Sequence, residues 1–202
     1  MEALQKLLVD ELGDLYDAEQ QIVKALPKLI QESSSPELQK ALKEHLTVTE
    51  EHVQRLEEAF SELGESQSRR KCKGMAGLLA EGEDLLKEDF EESTKDAGII
   101  GAAQRVEHYE IAAYGTARTL AQTLGNSRVA ELLQETLDEE KEADELLTQI
   151  AESTVNTEAA SEESENSNER SGNGRSRSST APKSKSRNTR TRSRRTRARA
   201  SR

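Results

Sequence analysis

The chain has little of what builds sheets or cross-linked folds. Its 202 residues include no tryptophan, and three tyrosines and two phenylalanines are its only large aromatic side chains. Such a shortage of the residues that pleated surfaces favour excludes a sandwich or a barrel. One cysteine, Cys72, cannot form an internal disulfide framework and fits a reducing compartment. No run approaches the roughly 20 apolar residues of a membrane span. The start, MEALQKLLVDEL, is too acidic and too interrupted for a signal peptide. The expectation is a soluble, cytoplasmic protein with no membrane partner.

Charge is plentiful, at 34% of residues, and unevenly placed. All 39 acidic residues precede Arg170, whereas 13 of the 29 basic ones fall between Arg170 and Arg202. The net −10 therefore joins a body carrying 16 bases, about −23, to a tail of about +13. From Val155 onward apolar residues nearly vanish, so the tail cannot bury enough surface to offset the entropy of ordering it. The expected division is a single domain over 1–152 and a disordered Ser/Arg-rich tail over 153–202.

Within the body, leucine, isoleucine and alanine recur with the helical period, and no useful length alternates with period two. Long helices are predicted over about 2–31, 36–63, 97–124 and 127–152, with a weaker one over 75–89. Ser35-Pro36-Glu37 is a helix start, with a capping serine before a proline at the first helical position. Gly64 ends one helix; Gly125, before Asn126 and Ser127, ends another and opens the next. Pro27 should kink the first helix or end its regular part. Short turns join the first two long helices and the last two, and a long segment with the weaker helix separates the pairs. The reading is all-α: two antiparallel helical hairpins linked by a crossover.

On a helical wheel, each apolar face holds polar residues at mid-length. Glu19 falls within the first stripe, between Leu15 and Ile22. The second stripe holds Thr49, with His45 and His52 nearer one edge. On the third long helix Glu107, Glu110 and Tyr114 share the face of Val106 and Ala117. On the fourth, Glu140 is central and Asp144 lies beside it. Any one of these could be a slightly rolled helix or a buried ion pair. Together they include no lysine or arginine, so they must raise their pKa values or recruit a cation. A cation is the simpler answer. Glu19 precedes Thr49 by 30 residues and Glu110 precedes Glu140 by 30, as if the hairpins were copies of one unit. Di-metal carboxylate bundles draw a Glu from one helix of each pair and Glu-x-x-His from the other, the two residues of that motif facing one way. Here the motifs read Thr49-x-x-His52 and Glu140-x-x-Ala143.

The segments DELGDLYDAEQQIVKALPKL, HLTVTEEHVQRLEEAF, KCKGMAGLLAEGEDLL, RVEHYEIAAYGTARTLAQTLG and LLQETLDEEKEADELLTQIAE resemble the YciE/YciF family of bacterial ferritin-like, ferroxidase-like stress proteins over residues 1–152. The resemblance implies a ferritin-like four-helix bundle with a crossover helix and two metal ions, Fe or Mn. It implies Glu19, His52, Glu107, Glu110, Glu140 and Asp144 as metal ligands, with His45 as a further candidate, and Fe(II) oxidation or peroxide consumption as the activity. Thr49 and Ala143 depart from the pattern, standing where a bridging Glu and a His are expected. The remaining donor set is oxygen-rich, which favours Mn(II) or Fe(II) over Zn(II). It is consistent with weak binding or with a site that no longer turns over.

Besides metal ions, the partners implied are O₂ or H₂O₂, a second copy of the chain through outer helix faces, and nucleic acid held without sequence preference by the tail. The competing class is a non-enzymatic stress or scaffold protein whose tail binds nucleic acid or an acidic partner. Tyr16, Tyr109 and Tyr114 flank the inward carboxylates and are expected as packed rings with satisfied hydroxyls or as donors to a metal centre. His108 points off the stripe. Cys72 lies in RKCKG, where neighbouring bases would lower its pKa.

Overall fold

In the computed structural model, residues 2–67 and 70–162 are described; the 163–202 part of the expected disordered, nucleic-acid-binding tail lies outside them. Five helices follow one another: α1 Glu2–Glu32, α2 Pro36–Leu63, α3 Lys73–Leu85, α4 Glu92–Thr123 and α5 Ser127–Ile150. No strand occurs among the described residues. The third and fourth long helices of the sequence are thus α4 and α5, and α3 is the crossover helix.

The predicted boundaries have local chemistry behind them. Ser35 caps α2 by accepting from the Leu38 N–H, with Pro36 opening the helix. Gly64 and Gly125 adopt φ of 68° and 80°. That left-handed turn lets Glu65 N–H reach the Phe60 carbonyl and Asn126 N–H reach the Ala121 carbonyl, closing α2 and α4. Pro27 does not end α1, which continues to Glu32.

The four long helices pack in a ring, α1 against α2, α2 against α5, α5 against α4 and α4 against α1. Their core has two halves. One gathers Ile22, Leu26, Leu38, Leu42, Ile99, Ala103, Leu147 and Ile150. The other gathers Leu8, Leu12, Leu56, Phe60, Ala117, Ala121, Leu133 and Leu137. α1 and α5 run from the second half to the first, and α2 and α4 run the opposite way. Each neighbour in the ring is therefore antiparallel. Because α2 and α4 share a direction, the chain must return along the bundle between them, and α3 makes that crossing. It seats closely on α4: a Cβ at Gly98 would lie 2.8 Å from Leu85, and one at Gly74 would lie 2.7 Å from the Tyr109 ring.

Helical structure continues past residue 152. A π-helical turn, Ala151–Val155, follows α5, and an α-helical stretch continues through 162. The cause is a further apolar side chain in helical register: Val155 follows Leu147 and Ala151 and is buried with them. α4 also begins earlier than expected, at Glu92, because Ser93 and Asp96 find partners inside the protein. Ser93 donates to Glu162, and Asp96 accepts from both Ser34 and Ser35 in the turn between α1 and α2.

Candidate metal centre

A polar belt separates the two halves of the core. Glu19 on α1, Thr49 and His52 on α2, Glu107 and Glu110 on α4 and Glu140 on α5 are all at most 2% exposed. Each occupies the mid-helix point where one apolar stripe hands over to the next. Ionised carboxylates there need protons, paired charges or a cation.

Two groups of converging donors result. Glu19, His52 and Glu140 each offer an atom within 4.8 Å of the others; His45, Glu107 and Glu140 do the same, so Glu140 belongs to both. His52 Nδ1 lies 2.9 Å from Glu140 Oε1 and 3.4 Å from Glu19 Oε1. His45 Nε2 lies 3.4 Å from Glu107 Oε1. These approaches lack hydrogen-bond alignment: His52 Nδ1, His45 Nε2, both oxygens of Glu110 and Glu140, and one oxygen each of Glu19 and Glu107 are buried without a hydrogen-bond partner. Atoms aimed at a common space but not at one another fit a metal ion better than a closed hydrogen-bond network.

The electrostatics follow from this crowding. Burial, then Glu140, Glu19 and Asp144, push Glu107 well above the usual carboxylate range; burial, then Glu19, Glu140 and Glu107, do so for Glu110. Burial also raises Glu19. For Glu140 burial acts upward, but contacts with His52, Glu107 and His45 outweigh it and the pKa falls. Burial opposes charge on His52, yet Glu140 and Glu19 raise it to about 10. His45, lacking equal compensation, is lowered by its burial.

Partners outside the belt fix its members. Tyr114, fully buried, donates its hydroxyl to Glu19 Oε1. Glu139 Oε2 lies 2.9 Å from His52 Nε2 and accepts from Arg55 Nη1 at 2.6 Å, and Arg55 also donates to Thr136. Arg55 and Glu139 were missed in the sequence, although Arg55 follows His52 by one helical turn and Glu139 adjoins Glu140. A base thus reaches the belt at one remove, through Glu139. His45, two helical turns before His52, belongs to the second donor group.

Asp144 joins neither group: its carboxylate accepts from Gln104 and faces His108, an exposed residue, at 3.3 Å. Thr49 is buried and its hydroxyl donates to the His45 carbonyl. Of the other tyrosines, Tyr16 donates to Glu57 and meets Phe60 edge-on, and Tyr109 donates to Asp14. Cys72 departs from the expectation of a lowered pKa. It is fully buried, caps α3 through Met75 N–H and touches Tyr109, and burial together with Asp14 raises its pKa.

Two antiparallel hairpins joined by a crossover, with carboxylates and imidazoles belted round the middle, define a helical bundle of the ferritin-like class. The chain belongs to the family described as domain of unknown function DUF892, whose model matches residues 3–160. It is 40% identical over 160 residues to protein YciF of Escherichia coli K12, covering 79% of this chain and 96% of YciF. The crystal structure of that stress protein matches with a TM-score of 0.74 at 39% identity, over 77% of this chain and 99% of the other. YcfI of Rhodopseudomonas palustris matches at 0.72 and 39% identity, over 73% and 94%. A two-domain protein of Anabaena variabilis with DJ-1/ThiJ/PfpI-like and ferritin-like domains matches at 0.52 and 16% identity, over 75% of this chain and 38% of that one, a likeness of fold. The resemblance to YciE/YciF proteins is thus upheld. No helix among the described residues is long and apolar enough to cross a membrane.

Proposed function

We propose that the belt binds two divalent metal ions, iron or manganese, and that the protein oxidises Fe(II) or consumes peroxide in a stress response. One observation carries this reading: the unpartnered oxygens and nitrogens of Glu19, His45, His52, Glu107, Glu110 and Glu140, buried together in the middle of the bundle. In it, Glu19, His52 Nδ1 and Glu140 hold one ion and His45, Glu107 and Glu140 hold the other; Glu110 belongs to neither converging group but adds two buried, unpartnered oxygens beside them. When bound, a redox-active pair of ions would supply the electrons that reduce O₂ or H₂O₂. The chain itself contributes position: Tyr114 orients Glu19, Glu139 orients His52, and the apolar halves close the belt at its two ends along the bundle. Metal analysis of protein purified without chelator, with aerobic Fe(II) oxidation, tests the reading. Wild type should carry metal and oxidise Fe(II), and the Glu110→Ala/Glu140→Ala variant should do neither. Equal rates in the two proteins would refute it.

A second reading rests on the 13 bases of residues 170–202, which hold dense positive charge without aromatic residues. In it the tail binds nucleic acid through phosphates, independently of sequence and more weakly as salt rises. The full chain should shift DNA in a gel at low salt and a 1–162 truncation should not; no shift by the full chain removes this reading.

A further inference from the structure

Between α2 and α5 a cavity of about 190 Å³ runs from the surface to His45 and Glu107. Its walls are Leu42, Val48, Ala143 and Leu147, and at its mouth Leu146 stays 41% exposed. The rim carries Glu44, Glu139 and Glu142. At its inner end lie His45 Nε2 and Glu107 Oε2, both buried and without a hydrogen-bond partner. Ala143 makes part of this space: it stands where a Glu-x-x-His motif would place an imidazole, and its single methyl leaves the wall open.

We propose that this cavity receives an alkyl hydroperoxide, a small uncharged molecule with an apolar body and one –OOH head, as the substrate of the belt; this rests on the redox reading above. The walls match the body. An apolar cavity of about 150 Å³ takes a benzene ring, so this one accommodates a ring with a short substituent. Hydrogen peroxide, polar at both ends, would leave hydrogen bonds unmade against Leu42, Val48 and Leu147. The rim carboxylates Glu44 and Glu142 repel anions and so exclude acids of similar size. At the inner end the head meets the donor group of His45 and Glu107, whose Nε2 and Oε2 are buried and unpartnered in the metal-free protein. In the overall conversion the O–O bond of ROOH breaks, two electrons come from two Fe(II) ions and two protons from solvent, and ROH and water leave beside two Fe(III).

Binding is tested first, on metal-free full-length protein, with 2-phenyl-2-propanol, the alcohol that cumene hydroperoxide leaves. Methyl NMR should show saturable shifts at Val48, Ala143 and Leu146, and phenylacetate should produce none. Ala143→Phe should abolish the shifts. Leu146→Glu, at an exposed position that does not threaten folding, should weaken binding at least tenfold. With Fe(II) added, the rate with cumene hydroperoxide relative to that with hydrogen peroxide should fall at least tenfold in Leu146→Glu. Absence of saturable shifts, or shifts unchanged in both variants, would overturn the cavity as a binding site even if hydrogen peroxide is consumed. Bound alcohol with neither peroxide consumed would instead overturn the redox reading, and with it the hydroperoxide as substrate.

Discussion

His52 gives its two ring nitrogens different surroundings. Nε2 meets Glu139, which Arg55 holds, and Nδ1 faces Glu140 and Glu19. Although burial alone would raise the pKa of Glu139, Arg55 and His52 lower it, so its carboxylate is a ready acceptor for Nε2–H. With the proton on Nε2, the lone pair lies on Nδ1, toward the belt. Partners of this kind fix the tautomer and orientation of metal-binding histidines, and their loss costs about 10–100-fold in affinity. Glu139→Ala should therefore weaken Mn(II) binding by about that factor while far-UV circular dichroism stays unchanged. Calorimetric titration measures it, and wild-type affinity in the variant would show that Glu139 orients nothing. No wheel reading finds Glu139, because it lies off the centre of its stripe and acts only through a residue of another helix. Glu140 is legible from its own helix alone, since a carboxylate between Leu137 and Leu147 conflicts with the apolar face.

At the level of elements, the joint between the two hairpins rests on Asp96. Only 1% exposed, it accepts from the backbone N–H groups of Ser34 and Ser35 and from the Ser34 hydroxyl, at 2.6–3.0 Å for the shortest bond to each donor. These donors sit where α1 gives way to α2, so α4 organises the turn of the other hairpin. Hydrogen bonds to charged groups contribute about 1.5–3 kcal/mol each, and the donors lose their partner together. Asp96→Ala should cost on the order of 2–4 kcal/mol in urea unfolding, with Asp96→Asn losing less. A loss below about 0.5 kcal/mol would show that water replaces the carboxylate. The start of α2 and the ends at Gly64 and Gly125 were legible because capping chemistry is local, carried by residues within one turn. The start of α4 was not, since Ser93 and Asp96 read as polar loop residues until Glu162 and the α1–α2 turn are brought against them. Val155 was likewise taken for tail: its burial depends on its register with Leu147 and Ala151, not on the composition around it.

For the whole molecule, the belt trades stability for donors aimed at a shared space. Folded and metal-free, Glu107 and Glu110 keep protons that they would release above about pH 4.5 when unfolded, and His52 keeps its proton to about 10 rather than 6.5. Each binds more protons folded than unfolded, so each contributes stability that is lost as pH rises. The opposing groups do not reverse this: Glu139 and Glu140, lowered from 4.5, matter only in acid, and His45, lowered from 6.5, is at most cancelled by His52 at that pH and fades above it. Between pH 6.5 and 9.5 the net sign is therefore single. The melting temperature of protein in EDTA should fall steadily across that interval. Glu107→Gln/Glu110→Gln, whose amides stand in for protonated carboxyls, should decline less steeply. Saturating Mn(II) should raise the melting temperature and flatten or reverse the slope, because the metal binds the deprotonated donors; at 100 times its dissociation constant a ligand adds about 2.7 kcal/mol. A melting temperature in EDTA that stays level from pH 6.5 to 9.5 would mean that the belt is not proton-loaded, and one that Mn(II) leaves unmoved would mean that it is not a metal site.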